Sequence, residues 1–193
     1  MNKQRVVIFG GSFDPIHVGH VNLATEVVRA GLASEVWFMV SPQNPHKKDS
    51  ALSDENLRLQ MVQLAIAKNE YFKACDFEFN LPRPSYTYNT LLELDKQYPD
   101  KEFLLLVGAD NWEKFDKWYN GDEILKKYRL IVYPRGNEEQ PQLPQGVTWL
   151  PAKLYNVSST EIRTAVFAGE DISALVTPEV KNFIESNNLY KSL

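Results

Sequence analysis

The sequence predicts an α/β fold with a mostly parallel central sheet and helices on both faces. Three observations carry this. Short apolar runs alternate with segments of helical period along the whole chain. The runs Val36–Val40 and Phe103–Val107 are apolar at every position, as in strands covered on both faces. The first run, Arg5–Phe9, passes through Gly10-Gly11-Ser12 into a helical segment, the strand–turn–helix start of such folds.

The elements follow in order. After strand Arg5–Phe9, a helix is expected from about His17 to Ala30, stopping at Gly31, a natural residue for a helix end. Glu35–Val40 is the second strand. Ser41–Ser53 has two prolines, Asn44, His46 and two lysines, a loop longer than a simple connection needs. Ser53 is expected to cap a helix whose apolar positions are Leu57, Met61, Leu64 and Ala65. Phe72–Phe79 reads as a third strand, and Leu81-Pro82-Arg83-Pro84 leads into a helix over about Tyr86–Tyr98, ended by Pro99. Glu102–Val107 is a buried strand with Gly108-Ala109-Asp110 at its end, and helix continues to Tyr128 with a break near Asn120–Gly121. Arg129–Tyr133 is a fifth strand, followed by the polar connection Pro134–Gly146, which is expected to be mobile. Extended segments near Val147–Leu150 and Leu154–Val157 precede a helix opened by Ser158, and Thr177-Pro178-Glu179 opens the last helix.

Composition bounds the function. With 44% hydrophobic and 24% charged residues, a chain of this size forms a core without staples, and residues 1–193 read as one domain. The apolar runs are too short to span a bilayer, and the N-terminus lacks the pattern of a signal peptide, so no membrane partner is expected. The one cysteine, Cys75, excludes an internal disulfide framework and a cysteine-based zinc site; a cytoplasmic location is expected. The net charge of −4 without a basic block argues against a polymeric nucleic acid partner. The sequence leaves a homo-oligomer open.

Two units carry chemistry. The first runs from Gly10, Gly11, Ser12 and Phe13 through His17 to Gly19 and His20. A glycine turn between strand and helix lets backbone N–H groups approach phosphates, and the two histidines share one helix face beside it. The spacing is neither the three-glycine dinucleotide fingerprint nor a P-loop. A zinc site from His17 and His20 lacks a third ligand at sensible spacing, so no metal ligands are assigned. The second unit is Ser158-Ser159-Thr160-Glu161-Ile162-Arg163: Ser158 and Glu161 have the spacing of a capping box, and Arg163 lies where it can reach an anion at the helix start.

Together the two units resemble the nucleotidylyltransferase superfamily, which implies a Rossmann-like nucleotidylyltransferase fold. Over nearly the whole chain the sequence is most similar to the bacterial nicotinate-nucleotide adenylyltransferase family. The matching segments are Pro42-Gln43-Asn44-Pro45-His46-Lys47, Pro84-Ser85-Tyr86-Thr87, Gly108-Ala109-Asp110 and the pair Trp118-Tyr119. The resemblance implies transfer of the adenylyl group of ATP to nicotinate mononucleotide, with pyrophosphate leaving and Mg²⁺ carried on ATP. It implies catalytic roles for His17, His20, Lys47 and Arg163. ATP would meet Gly10, Gly11, Ser12, Phe13, His17, Gly19, His20, Asp110, Ser158, Ser159, Thr160 and Arg163. The acceptor would meet Asn44, Lys47, Tyr86, Thr87, Trp118 and Tyr119, with Trp118 on the pyridine ring and a helix start near Thr87 on its carboxylate. Asp110 also reads as a helix N-cap and Trp118 as core packing. Nicotinamide mononucleotide, or both mononucleotides, stays open as the acceptor. A non-catalytic nucleotide sensor on the same fold and a dinucleotide-dependent dehydrogenase are the readings from other classes.

Overall fold

The computed structural model describes residues 3–42, 52–135, 140–152, 155 and 157–191. Six strands form one parallel sheet: β1 (Gln4–Gly11), β2 (Glu35–Val40), β3 (Phe72–Cys75), β4 (Lys101–Gly108), β5 (Arg129–Tyr133) and β6 (Val147–Trp149). Their spatial order is β3-β2-β1-β4-β5-β6. The order reverses at β1, and open α/β sheets bind ligands in the crevice at the carboxyl ends of such a switch.

The helices divide between the two faces because strand side chains alternate. Val7 and Phe9 of β1, Phe38 of β2 and Leu104 and Leu106 of β4 point to one face. There they pack on α1 (Val18–Arg29), α2 (Glu55–Ile66), α6 (Ser159–Phe167) and α7 (Pro178–Ser186) through Val27, Met61, Ile162 and Ile184. Val6, Ile8, Trp37 and Leu105 point to the other face, against Leu91 and Leu94 of α3 (Thr87–Gln97) and Ile124 of α5 (Gly121–Lys127). Cys75 is buried in this second layer. A short helix α4 (Ala109–Trp112) follows β4 directly.

Three local differences from the sequence reading have clear causes. The cap of α2 is Asp54, whose Oδ1 accepts from the N–H of Asn56 at 2.8 Å, and not Ser53, whose own N–H donates to Asp14 Oδ2. The buried face of α2 is Arg58, Met61, Val62 and Ile66, turned from the expected stripe because Arg58 is drawn inward by backbone acceptors. β3 stops at Cys75 and the chain turns into a 3-10 helix, Phe77–Asn80, which carries the Glu78 carboxylate off the sheet to the hydroxyls of Ser85 and Thr90. Of the expected extended segment Leu154–Val157, Leu154 and Asn156 lie outside the described residues.

Candidate active site

The sheet opens beside β1. Pairing of β1 with β2 continues to Gly11 opposite Val40, whereas pairing with β4 stops at Ile8 opposite Leu105. Beyond Ile8 the two neighbours splay, and a Cβ on Gly10 would meet nothing within 4 Å. Gly11 is different, since a Cβ there would lie 3.0 Å from the ring of Phe13. Phe13 itself takes a left-handed backbone, φ 48°, a conformation costly for a bulky residue and held here by full burial of its ring. The Phe13 side chain is therefore core; only its backbone is available to a ligand.

The turn delivers the chain to His17, the N-cap of α1, and to His20 one turn later. Their rings stack with centroids 3.6 Å apart, and the edges of Phe9 and Phe13 close on His20. Burial, then the positive charge of Arg135, pushes the His17 imidazole down to about 4, with Glu161 opposing. His20 is held well below the ordinary value by the protein packed around its ring and by His17. Both are neutral at pH 7. The N–H of His17 donates to His20 Nδ1 at 3.3 Å, which puts the single proton of neutral His20 on Nε2. His17 Nδ1 is buried with no hydrogen-bond partner among the described residues. A Cβ on Gly19 would lie 3.0 Å from that atom, so glycine here gives the His17 ring its space.

The second unit lands on the first. Ser158 caps α6, and Glu161 closes the box on the Ser158 N–H at 2.7 Å. Ser159 Oγ donates to the carbonyl of Pro15 at 2.9 Å, and Arg163 Nη1 donates to the carbonyl of Asp14 at 2.7 Å. Arg163 Nη2 also donates to Thr160 Oγ1. Thus the first turns of α6 are tied to the turn that leads into α1, which sets the two helix starts near one another at the mouth of the crevice.

Across the crevice, Asp110 lies in the first turn of α4. Gly108, not Asp110, is the N-cap of that helix, which removes the capping explanation for the carboxylate. One carboxylate oxygen accepts from Arg135 Nη1 at 3.3 Å; the other, Oδ1, is buried with no hydrogen-bond partner among the described residues. Of the other expected site residues, Tyr86 is the N-cap of α3 and Thr87 its first residue. Tyr86 and Tyr119 are exposed and lie with ring centroids 4.8 Å apart. Trp118 is half-buried and stacks on Phe115 at 5.0 Å, so core packing occupies one face of its indole. Asn44 and Lys47 lie outside the described residues.

Sequence reasoning missed the polar groups that hold this site. Arg58, 1% exposed, donates to the carbonyls of Ser12, Ser41, Pro42 and Ser53. Asp14 accepts from the Ser53 N–H and from the Tyr190 hydroxyl at 2.6 Å; burial, then the Asp14 charge and this bond, push the phenol far up. Arg58 had a signal: it sits three before Met61 and four before Val62, the helical spacing of the buried face. Tyr190 had none.

A doubly wound sheet with two helix N-termini and two imidazoles at its switch point is the frame on which nucleotide-binding α/β proteins hold an anionic ligand. The cytidylyltransferase-like family model matches residues 8–165. A probable nicotinate-nucleotide adenylyltransferase of Bacteroides fragilis is 44% identical over 182 residues, covering 93% of this chain and 90% of the relative. Its counterpart in Cytophaga hutchinsonii is 41% identical over 190 residues, covering 97% and 99%. The chain belongs to the cytidylyltransferase-like family and, within it, to the nicotinate-nucleotide adenylyltransferases. The fold is also that of a nicotinic acid mononucleotide adenylyltransferase of Plasmodium falciparum solved with NaAD, with TM-score 0.81, 21% identity and coverage of 97% and 98%. No helix among the described residues is long and apolar enough to cross a membrane.

Proposed function

We propose that this protein transfers the adenylyl group of ATP to nicotinate mononucleotide, giving nicotinate adenine dinucleotide and pyrophosphate in the cytoplasm. The observation that carries the reading is the junction of α1 and α6, where Ser159 and Arg163 bind the turn between Gly11 and His17. It sits at the switch point of a chain that aligns almost end to end with its relatives. A phosphate oxygen of the acceptor bonds to the α-phosphorus, the bond from that phosphorus to its bridging oxygen breaks, and pyrophosphate leaves with the electron pair. No covalent bond to the protein forms. The work of the protein is to align the two phosphates and to meet the charge that spreads over their oxygens. His17 and His20 serve as neutral N–H donors to that region, the second through Nε2. Arg163, the Ser158–Thr160 turn and Lys47 hold the remaining phosphate oxygens, and Asp110 accepts from ribose hydroxyls. The acceptor lies toward Asn44, Tyr86, Thr87, Trp118 and Tyr119, its carboxylate at the start of α3.

Mg²⁺ would be carried on the triphosphate, where it would neutralise part of the phosphate charge. The donors gathered at the junction are imidazoles, hydroxyls and N–H groups, a set suited to phosphate oxygens rather than to a hard cation. Among the described residues no cluster of three or more His, Cys, Asp or Glu is placed to hold a metal.

The test is pyrophosphate release from Mg²⁺-ATP with nicotinate mononucleotide and nicotinamide mononucleotide in parallel. A strong preference for the nicotinate form is expected, because a helix N-terminus favours an anion over a neutral amide. Equal use would overturn the carboxylate assignment; no release with either would overturn the activity.

A further inference from the structure

We infer that Glu78 is a positioning residue for the acceptor mononucleotide, acting through the hydroxyls of Ser85 and Thr90 on the start of α3. The inference rests on the acceptor reading above. Glu78 is 6% exposed and lies on the 3-10 helix between β3 and α3. Ser85 Oγ donates to its Oε2 at 3.0 Å and Thr90 Oγ1 donates to its Oε1 at 2.8 Å. The Ser41 hydroxyl is a further partner of the same carboxylate. Ser85 and Thr90 bracket the first turn of α3, one before its N-cap and one four residues after it. One carboxylate thus clamps that turn from both sides.

The clamp also clears the turn. A serine or threonine at a helix start ordinarily offers its oxygen to the free N–H groups there. Here Ser85 Oγ is directed at Glu78, Thr90 Oγ1 at Glu78 with a longer contact to the Tyr86 carbonyl at 3.3 Å, and the N-cap Tyr86 makes no side-chain capping bond. The first-turn N–H groups of α3 are left for an anion from outside. The Ser41 link sets where that turn stands relative to the phosphate turn, since the Ser41 N–H donates to the carbonyl of Gly11 at 2.9 Å. Glu78 therefore spans the acceptor end and the edge of β1 without touching either substrate.

The experiment is steady-state kinetics of Glu78→Gln, Glu78→Ala, Ser85→Ala and Thr90→Val, varying nicotinate mononucleotide and ATP separately, with melting curves beside them. Losing one such hydrogen bond moves a binding constant by about tenfold. Thr90→Val and Ser85→Ala should each raise the acceptor KM by about that factor, with the ATP KM within about twofold. Glu78→Gln, which keeps one carbonyl oxygen, should sit between wild type and Glu78→Ala, and Glu78→Ala combined with Thr90→Val should be no worse than Glu78→Ala alone. If Glu78→Ala does not fold, Thr90→Val and Glu78→Gln carry the test. Acceptor KM values unchanged in those variants, or acceptor and ATP KM rising together, would overturn the inference while wild-type turnover keeps the activity. A wild type inactive with nicotinate mononucleotide would overturn the acceptor reading and this inference with it.

Discussion

Arg58→Met tests how the site is held. Arg58 is 1% exposed, and its guanidinium donates to Ser12 O at 2.6 Å, Ser41 O at 2.8 Å, Ser53 O at 2.9 Å and Pro42 O at 3.2 Å. Methionine keeps most of the stem and its packing and removes every donor. A hydrogen bond to a charged donor contributes about 1.5–3 kcal/mol, so four taken singly would exceed the margin of many domains. They are not lost singly. Some of the carbonyls gain water as the turn relaxes, and removing the cation recovers its own desolvation cost. Breaking a buried, well-partnered charge costs about 3–5 kcal/mol in practice. For a chain of 193 residues at about 2–4 °C per kcal/mol, Tm should fall by about 6–20 °C. Arg58→Lys keeps the charge but lacks the planar fork that reaches separate loops, so about half that fall is expected. The assay is thermal unfolding followed by circular dichroism, with pyrophosphate release measured well below both midpoints. A fall of less than about 3 °C in Arg58→Met would refute the claim that this side chain holds the turn.

Two further predictions concern the site itself. Since the folded His17 titrates near 4 and an unfolded histidine near 6.5, the unfolded chain binds more protons between these values, so stability rises with pH across that window. Above about pH 6.5 the contribution is full, about 3 kcal/mol, and it is lost as pH falls toward 4; urea unfolding from pH 4.5 to 7 should show this slope reduced in His17→Asn, and an identical slope would sink the assignment. A Cβ on Gly108 would lie 2.6 Å from Asp110 Oδ1 and 3.1 Å from Arg135 Nε, so Gly108→Ala must displace the carboxylate. Its ATP KM should rise by about tenfold, the worth of one hydrogen bond, and an unchanged KM would remove Asp110 from the nucleotide site.

The parts of the fold that depend on short-range pattern were legible in the residues. Val36–Val40 and Phe103–Val107 are strands covered on both faces, and the α1 helix ends beside Gly31, whose φ is +66°. The Ser158–Glu161 box was legible because both partners lie within one turn. What was not legible has a common physical character: polar side chains whose partners are distant carbonyls or hydroxyls. Glu78 sits in a stretch that reads as strand, since nothing nearby in sequence announces a buried carboxylate; its partners lie seven and twelve residues away. Asp14 stands inside the first unit, yet its carboxylate meets Tyr190, 176 residues on. Trp118 and Asp110, each with two readings by sequence, part company in the structure. Asp110 is not a cap, whereas Trp118 gives one face to Phe115 and leaves both readings compatible.

These long-range contacts also bear on the proposal that the turn between β1 and α1 receives a polyphosphate. A phosphate chain is all acceptors, so a carbonyl aimed at it repels as surely as an N–H attracts. Three of the four carbonyls from Ser12 to Pro15 are engaged from the protein side: Ser12 by Arg58, Asp14 by Arg163 and Pro15 by Ser159. Two of those donors come from α6, 144 and 149 residues distant along the chain. The serine and arginine of the second unit therefore act before any ligand arrives, by removing lone pairs from the turn. If that is their first role, Ser159→Ala should weaken ATP binding even though the N–H groups of α6 remain. Isothermal titration of ATP into Ser159→Ala, with affinity equal to wild type, would show that the carbonyl of Pro15 does not face the nucleotide and that the argument is wrong.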